Sequence, residues 1–210
     1  GIDWLSRNQA QNGSWSNEGG YGSYPAAMTG LAGMALLASG STPTRGPCYK
    51  EVRKSVDFLL RCADARNGLI SVPVEEGRSM YGHGFATLFL ASVYGMEEDL
   101  VKQQRLKVVL DKAVGLIVRA QSSAGGWIYT PDSNSDEGSV TVTQVQALRA
   151  CRMAGIVVDK RTVDRAVDYI KKCQQGDGGI CYSLHSGGGS RPAITAAGVA
   201  VLYNAGIYED

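Results

Sequence analysis

Charge of either sign is nearly balanced in this chain: 21 lysines and arginines stand against 20 aspartates and glutamates, a formal net charge of +1. That balance removes the long-range attraction on which a nucleic acid or an anionic membrane relies. Basic residues gather only locally, as in Lys102-Gln103-Gln104-Arg105-Leu106-Lys107, with Glu97, Glu98, Asp99 and Asp111 around them. This is the pattern of a solvated helix face. No apolar run reaches the length of a membrane span and none reads as a signal peptide. The chain opens at Gly1 without a methionine, so its compartment stays open. Cysteine motifs are missing too. Cys48, Cys62, Cys151, Cys173 and Cys181 form no Cys-x-x-Cys pair, and five leave at least one unpaired. Gly187-Gly188-Gly189-Ser190-Arg191 carries no lysine and reads as a flexible loop, not a phosphate cradle.

What is present is repetition. Trp4-Leu5 precedes Asn12-Gly13-Ser14-Trp15, Phe58-Leu59 precedes Asn67-Gly68-Leu69-Ile70, Leu116-Ile117 precedes Gly125-Gly126-Trp127-Ile128, and Tyr169-Ile170 precedes Gly178-Gly179-Ile180. The copies, marked by Asp3, Asp57, Gly115 and Asp168, recur every 53 to 58 residues. A period of that size marks stacked units whose apolar faces are completed by neighbours. Each copy reads as helix, glycine turn, short extended piece, loop and second helix.

The first helix of a copy is amphipathic: Val52, Val56, Leu59 and Leu60 return at helical spacing, as do Val109, Ala113, Leu116 and Ile117, and Val163, Val167 and Ile170. Its polar side faces outward, and the glycines end it. Cys62 and Cys173 stand where Ala120 stands in the third copy, predicting small side chains buried against a neighbour. The second helix is different. Residues 28–37, 82–90, 140–148 and 194–202 are small and nearly uncharged, the character of helices buried on most sides. Gly33, Gly84 and Gly198 within them predict close backbone approach. The result is an inner row of helices wrapped by an outer row: an all-α chain of eight helices in about four hairpins. It divides into repeats at 1–46, 47–99, 100–158 and 159–210 of one domain spanning 1–210. Either the hairpins close on themselves, or they self-associate or belong to a longer ring, since an open arc exposes an apolar end.

The segments Gln9-Ala10-Gln11-Asn12-Gly13-Ser14-Trp15, Gln121-Ser122-Ser123-Ala124-Gly125-Gly126-Trp127 and, more weakly, Gln174-Gln175-Gly176-Asp177-Gly178-Gly179-Ile180 resemble the glutamine–tryptophan repeat of triterpene cyclases such as squalene-hopene cyclase. Protein prenyltransferase β subunits share that family's toroid of paired helices. The resemblance covers essentially the whole chain and implies an α/α toroid with a central apolar cavity, in which the glutamine and tryptophan have a structural duty at helix ends. The catalytic signatures of those enzymes are not matched. Neither an Asp-x-Asp-Asp run, nor an Asp-x-Cys pair, nor an Asp-Asp-x-x-Asp run occurs, and Gly179 stands two places before Cys181. No cofactor is expected.

Candidate site residues follow from breaks in the register. Thr29, His83, Thr141 and Thr195 align on the second helix, so one repeat replaces a hydroxyl by a group that titrates near neutrality. His83 is either a hydrogen-bonded residue at a helix start or a pocket residue and candidate catalyst. Tyr24, Tyr81, Tyr129 and Tyr182 recur ahead of the second helices and, with His83, Thr141 and Thr195, are candidate pocket-lining residues. Cys181 and His185 are a weak candidate pair of metal ligands. Asp132, Asp136 and Glu137 are candidate acids for a sugar-cleaving toroid, with a solvated loop as the plainer reading.

Two classes of function lead, with a carbohydrate-active toroid, which needs two carboxylates facing across a groove, as a third. The first is a non-catalytic, squalene-cyclase-like toroid module that binds a partner or a small apolar ligand. The alternative is a terpene cyclase or prenyltransferase-type enzyme acting on an isoprenoid through non-standard or missing residues. No nucleic acid partner and no transmembrane segment are expected.

Overall fold

Amphipathic and small-residue segments alternate in the computed structural model as they do in the sequence. The model describes residues 1–16, 23–131 and 135–208. The outer helices are α1 (Ile2–Arg7), α3 (Tyr49–Cys62), α5 (Leu100–Ala120) and α7 (Lys160–Lys172). The inner helices are α2 (Pro25–Ala38), α4 (Ser79–Tyr94), α6 (Gly138–Met153) and α8 (Pro192–Ala205). Inner helices pack on one another in succession, α2 on α4, α4 on α6 and α6 on α8. Each of the first three is also covered by the outer helix that follows it. The chain is an α/α toroid fold of about four hairpins. Among the described residues no helix is long and apolar enough to cross a membrane.

Three outer helices bury one stripe each, Val52, Val56, Leu59 and Leu60 on α3, Leu106, Leu110, Ala113 and Ile117 on α5, Ala166, Val167 and Ile170 on α7, whereas the short α1 has no fully buried residue. Val109 and Val163 lie at the border of that stripe, half-buried. Asp99 and Asp159 start α5 and α7 by accepting bonds from Val101 N (2.9 Å) and Arg161 N (3.0 Å), the usual role of a short acid before a helix. Inner helices begin two or three residues earlier than the apolar pattern alone suggests. Pro25 and Pro192 sit in the first turns of α2 and α8, where a residue without an N–H costs nothing.

Close backbone contact between inner helices occurs at Gly30, where a side-chain carbon would stand 2.7 Å from the Phe85 carbonyl carbon on α4. Gly33, Gly84 and Gly198 instead make room for side chains, those of Phe89, Thr143 and Ile180. The glycine-rich segment after Cys181 is not a loose loop. Gly187–Ser190 forms strand β2, antiparallel to β1 (Cys181–Ser183), with Cys181 opposite Ser190.

Candidate functional site

The aligned positions Thr29, His83, Thr141 and Thr195 make one and the same bond. Each accepts the backbone N–H at the end of its own extended piece: Trp15 N to Thr29 Oγ1 (3.1 Å), Ile70 N to His83 Nδ1 (3.1 Å), Trp127 N to Thr141 Oγ1 (3.1 Å) and Ile180 N to Thr195 Oγ1 (2.9 Å). Because Nδ1 of His83 accepts, its proton sits on Nε2, which donates to the Ala113 carbonyl at 3.2 Å. Both ring nitrogens are thus taken by the backbone. The ring has no exposed surface, and desolvation pushes its pKa down to about 4. At neutral pH His83 is an uncharged brace. Thr29 and Thr141 are equally buried, while Thr195 retains some exposure.

The glutamine and tryptophan of the repeat act beside that brace. Trp15 Nε1 donates to Leu5 O (3.0 Å) and Trp127 Nε1 to Ile117 O (2.8 Å), each tying the turn to its own outer helix. Gln9 Nε2 reaches Gly13 O (3.0 Å) and Glu51 O (2.9 Å), and Gln121 Nε2 reaches Gly125 O (2.8 Å) and Thr162 O (2.9 Å). The glutamine therefore spans two repeats. Gln121→Ala should lower the unfolding free energy by about 1–2 kcal/mol, since two carbonyls lose their donor. Gln174→Ala, at the exposed equivalent in the fourth repeat, should cost less than about 0.5 kcal/mol. Urea titration of both variants checks the difference, and equal losses would refute the assignment.

Three of the four candidate tyrosines meet at the leading ends of the inner helices. Tyr81 lies inside the first turn of α4 rather than ahead of it. Its hydroxyl bonds Ser139 Oγ and donates to Glu137 Oε1 (3.3 Å), while the Tyr129 and Tyr182 hydroxyls bond each other. The Tyr81 and Tyr129 rings are 6.0 Å apart. Arg78 and Arg191 stack over Tyr129 and Tyr182 at 5.0 and 4.6 Å, a favourable cation–π arrangement. Burial raises the pKa of Tyr81 and Tyr182. Tyr24 stands directly before α2.

The candidate acids have structural work. Glu137 caps α6, accepting Ser139 N at 2.9 Å. Asp136 Oδ1 accepts the Tyr169 hydroxyl (2.9 Å), Ser183 Oγ (3.0 Å) and Leu184 N (2.9 Å), which anchors the β1–β2 ribbon. Asp132 lies outside the described residues. Two buried acids escape the sequence reading: Glu97, which accepts Asp99 N at 3.0 Å, lies off the solvated face that its neighbours in sequence suggest, and Glu75, in the 3₁₀ turn Pro73–Arg78, accepts Ala26 N at 2.7 Å and so starts α2 of the preceding repeat. Burial raises the pKa of Glu75, and the bonds from Ala26 and Ala27 oppose that rise. Its bond crosses 49 residues of sequence, so no local pattern announces it.

Cys181 is buried and its thiol points to Ser183 O at 3.6 Å, whereas His185 is exposed. Among the described residues no three His, Cys, Asp or Glu side chains group as metal ligands do. All five cysteines are free, and burial pushes the thiols of Cys62, Cys151 and Cys173 up to about 11, 12 and 12.

A largely apolar cleft lies at the opposite end of the inner row, between the closing turns of α4, α6 and α8. It is an open groove of about 650 Å³, walled by Leu88, Ala91, Met96, Ala150 and Met153, with Ser92, Gln146, Arg149 and Asn204 as polar members. Among its described lining residues Arg149 is the sole ionisable group. Its guanidinium donates to Tyr203 O at 3.1 Å and lies 5.2 Å from that residue's ring. The candidate tyrosines and His83 are not among these walls. A second cleft of about 1090 Å³, lined by mixed polar groups such as Asp64, Arg66, Glu76 and Arg119, lies between the turns of the second and third repeats.

No protein-family model matches this chain, and no curated protein matches it. Solved structures do share its fold. A possible member of the GH105 family from Salmonella enterica serovar Paratyphi A superposes with a TM-score of 0.58 at 18% identity, over 84% of this chain and 54% of that one. The polysaccharide lyase BACCELL_00875 gives 0.55 at 18% identity, over 87% of this chain and 59% of that one. The chain thus spans a little over half the length of either. These likenesses establish the fold, an all-α toroid.

Proposed function

We propose that this chain is a non-catalytic toroid module whose inner-helix cleft binds a small apolar ligand. The observation that carries this reading is the composition of the cleft: about 650 Å³ walled by alanine, leucine and methionine, with no acid or base among its described members that can exchange a proton at neutral pH. A volume of that size suits a small molecule, and methionine adapts to irregular apolar shapes. The resemblance of the Gln9–Trp15 and Gln121–Trp127 segments to triterpene cyclases supports an isoprenoid-like ligand. The alternative, an enzyme of the cyclase or prenyltransferase type, requires a proton donor or metal beside that ligand.

Radiolabelled farnesol and squalene, equilibrated with the purified chain, test both readings. Saturable retention is expected, with Ala150→Trp, which fills the cleft from its wall, weakening it at least tenfold while the circular dichroism spectrum stays unchanged. Retention unaffected by Ala150→Trp would overturn the cleft as the site. Conversion of squalene or a prenyl diphosphate to product would replace the binding reading by the enzymatic one.

A further inference from the structure

The junction between successive repeats is built three times, and none of the described residues fills its fourth instance. At each completed junction the glycine turn of one repeat abuts the next outer helix. A side-chain carbon on Gly13, Gly68 or Gly125 would stand 2.3, 2.4 or 2.2 Å from the carbonyl oxygen of Lys54, Lys112 or Arg165. Gly178 has the same left-handed backbone, φ +80°, yet meets nothing within 4 Å. The incoming helices also share their chemistry. Lys112 Nζ donates to Ala65 O (2.7 Å) and Arg165 Nη2 to Ser122 O (2.6 Å). Seven residues after Lys54 and Lys112, Arg61 and Arg119 donate to Asn12 O (2.7 Å) and Asn67 O (2.9 Å). At the second junction, two turns of helix place both Lys112 and Arg119 over the carbonyls of one glycine loop.

The inner helix at the fourth junction is bare in the matching place. Val199 is 62% exposed, whereas Thr87 and Val145, at the same register in α4 and α6, are 0% and 1% exposed. Val199, Gly198 and Leu202 form one wall of a cleft of about 310 Å³ whose other walls are Thr195, Ile170, Gln174, Gly178, Ile180 and one cation, Lys171. Gln174 stands where Gln9 and Gln121 bond a neighbour's helix carbonyl. Asp177 replaces the asparagine found at Asn12 and Asn67, adding negative charge where those loops receive an arginine.

We infer that this edge, between α7, α8 and the 174–180 loop, is a docking surface for a basic amphipathic helix. The helix carries two Lys or Arg residues seven apart, with an apolar stripe between them. Its seat repeats parts of the filled ones: a glycine that admits a helix carbonyl, as at all three; loop carbonyls, which take two cations at the second junction and one each at the first and third; a glutamine, as at the first and third; and an apolar wall from α8. The inference is independent of the apolar-ligand reading.

A helix-stapled, fluorescent peptide carrying residues 106–120, which include Lys112 and Arg119, tests it by anisotropy against the whole chain. Saturable binding is expected, weakened at least tenfold by Val199→Glu in the chain and at least tenfold by K112A/R119A in the peptide. Val101→Glu, an exposed change on α5, should leave binding unaltered. Val199 already faces water, so its substitution does not threaten the fold. The inference is overturned by an absence of saturable binding, by equal losses in Val199→Glu and Val101→Glu, or by self-association of the chain through this edge that the peptide fails to displace.

Discussion

Replacing Trp127 by alanine should lower the unfolding free energy by about 3–5 kcal/mol, the range for deleting a large buried aromatic. Trp127 is fully buried. It is also the point at which three parts of the third repeat are joined. Its backbone N–H goes to Thr141 on α6, its carbonyl accepts Glu137 N at 2.8 Å, and its indole N–H goes to Ile117 on α5. Alanine keeps the two backbone bonds but removes the indole bond and leaves a cavity. Trp127→Phe retains most of the ring and should cost about 1–2 kcal/mol, chiefly the unpaired Ile117 carbonyl. Trp15→Ala should cost less than Trp127→Ala, because the short α1 beside it has no fully buried residue. Equilibrium urea denaturation distinguishes the three. If Phe and Ala at position 127 were equally harmful, the loss would belong to the bond and not to packing.

Acid should weaken the wild-type fold through His83 in a way that His83→Thr abolishes. Burial holds the native pKa near 4, below the value of about 6.5 for an unfolded histidine. Between those two values the unfolded chain binds a proton that the native chain refuses, so stability rises with pH across the window. The stabilisation is complete above about pH 6.5 and falls by about 3 kcal/mol as pH drops through 4. Glu75 has the opposite sense. Its native pKa is raised by burial, so its contribution to stability grows as pH falls. The informative quantity is therefore the difference between wild type and His83→Thr. Threonine can accept Ile70 N as its three counterparts do, and it carries no titrating group. Its curve between pH 4 and 7 should lack the histidine slope, and parallel curves for the two proteins would refute the brace.

Much of this architecture is legible from the residues. The return of Val52, Val56, Leu59 and Leu60 marks an outer helix because a half-buried helix must repeat its apolar positions every three to four residues. The small, uncharged segments around Gly30, Gly84 and Gly198 mark helices surrounded by other helices. The alignment of Thr29, His83, Thr141 and Thr195 marks one shared position at the helix starts, but that all four accept the N–H of an extended piece shows only in the structure. What escapes the sequence is what depends on distance across repeats. Glu75 capping α2, Asp136 anchoring the ribbon and the meeting of Tyr129 with Tyr182 are made by residues 33 to 53 positions apart. The β1–β2 ribbon is missed because its glycines read as a loop, although glycine pairs well enough when the partner strand is short. The apolar cleft is missed for another reason. Its walls come from the closing turns of three helices, whereas the tyrosines draw the eye to the opening turns.

Gln9 and Gln121 each hold the repeat after their own, and among the described residues no such glutamine bond reaches two repeats ahead. Such couplings act in series, like links in a chain under tension. Strain applied at α8 reaches α2 only by passing through every junction between, and the weakest link sets how far it travels. Whatever occupies the cleft of α4, α6 and α8 therefore feels the state of the last junction directly and that of the first only faintly.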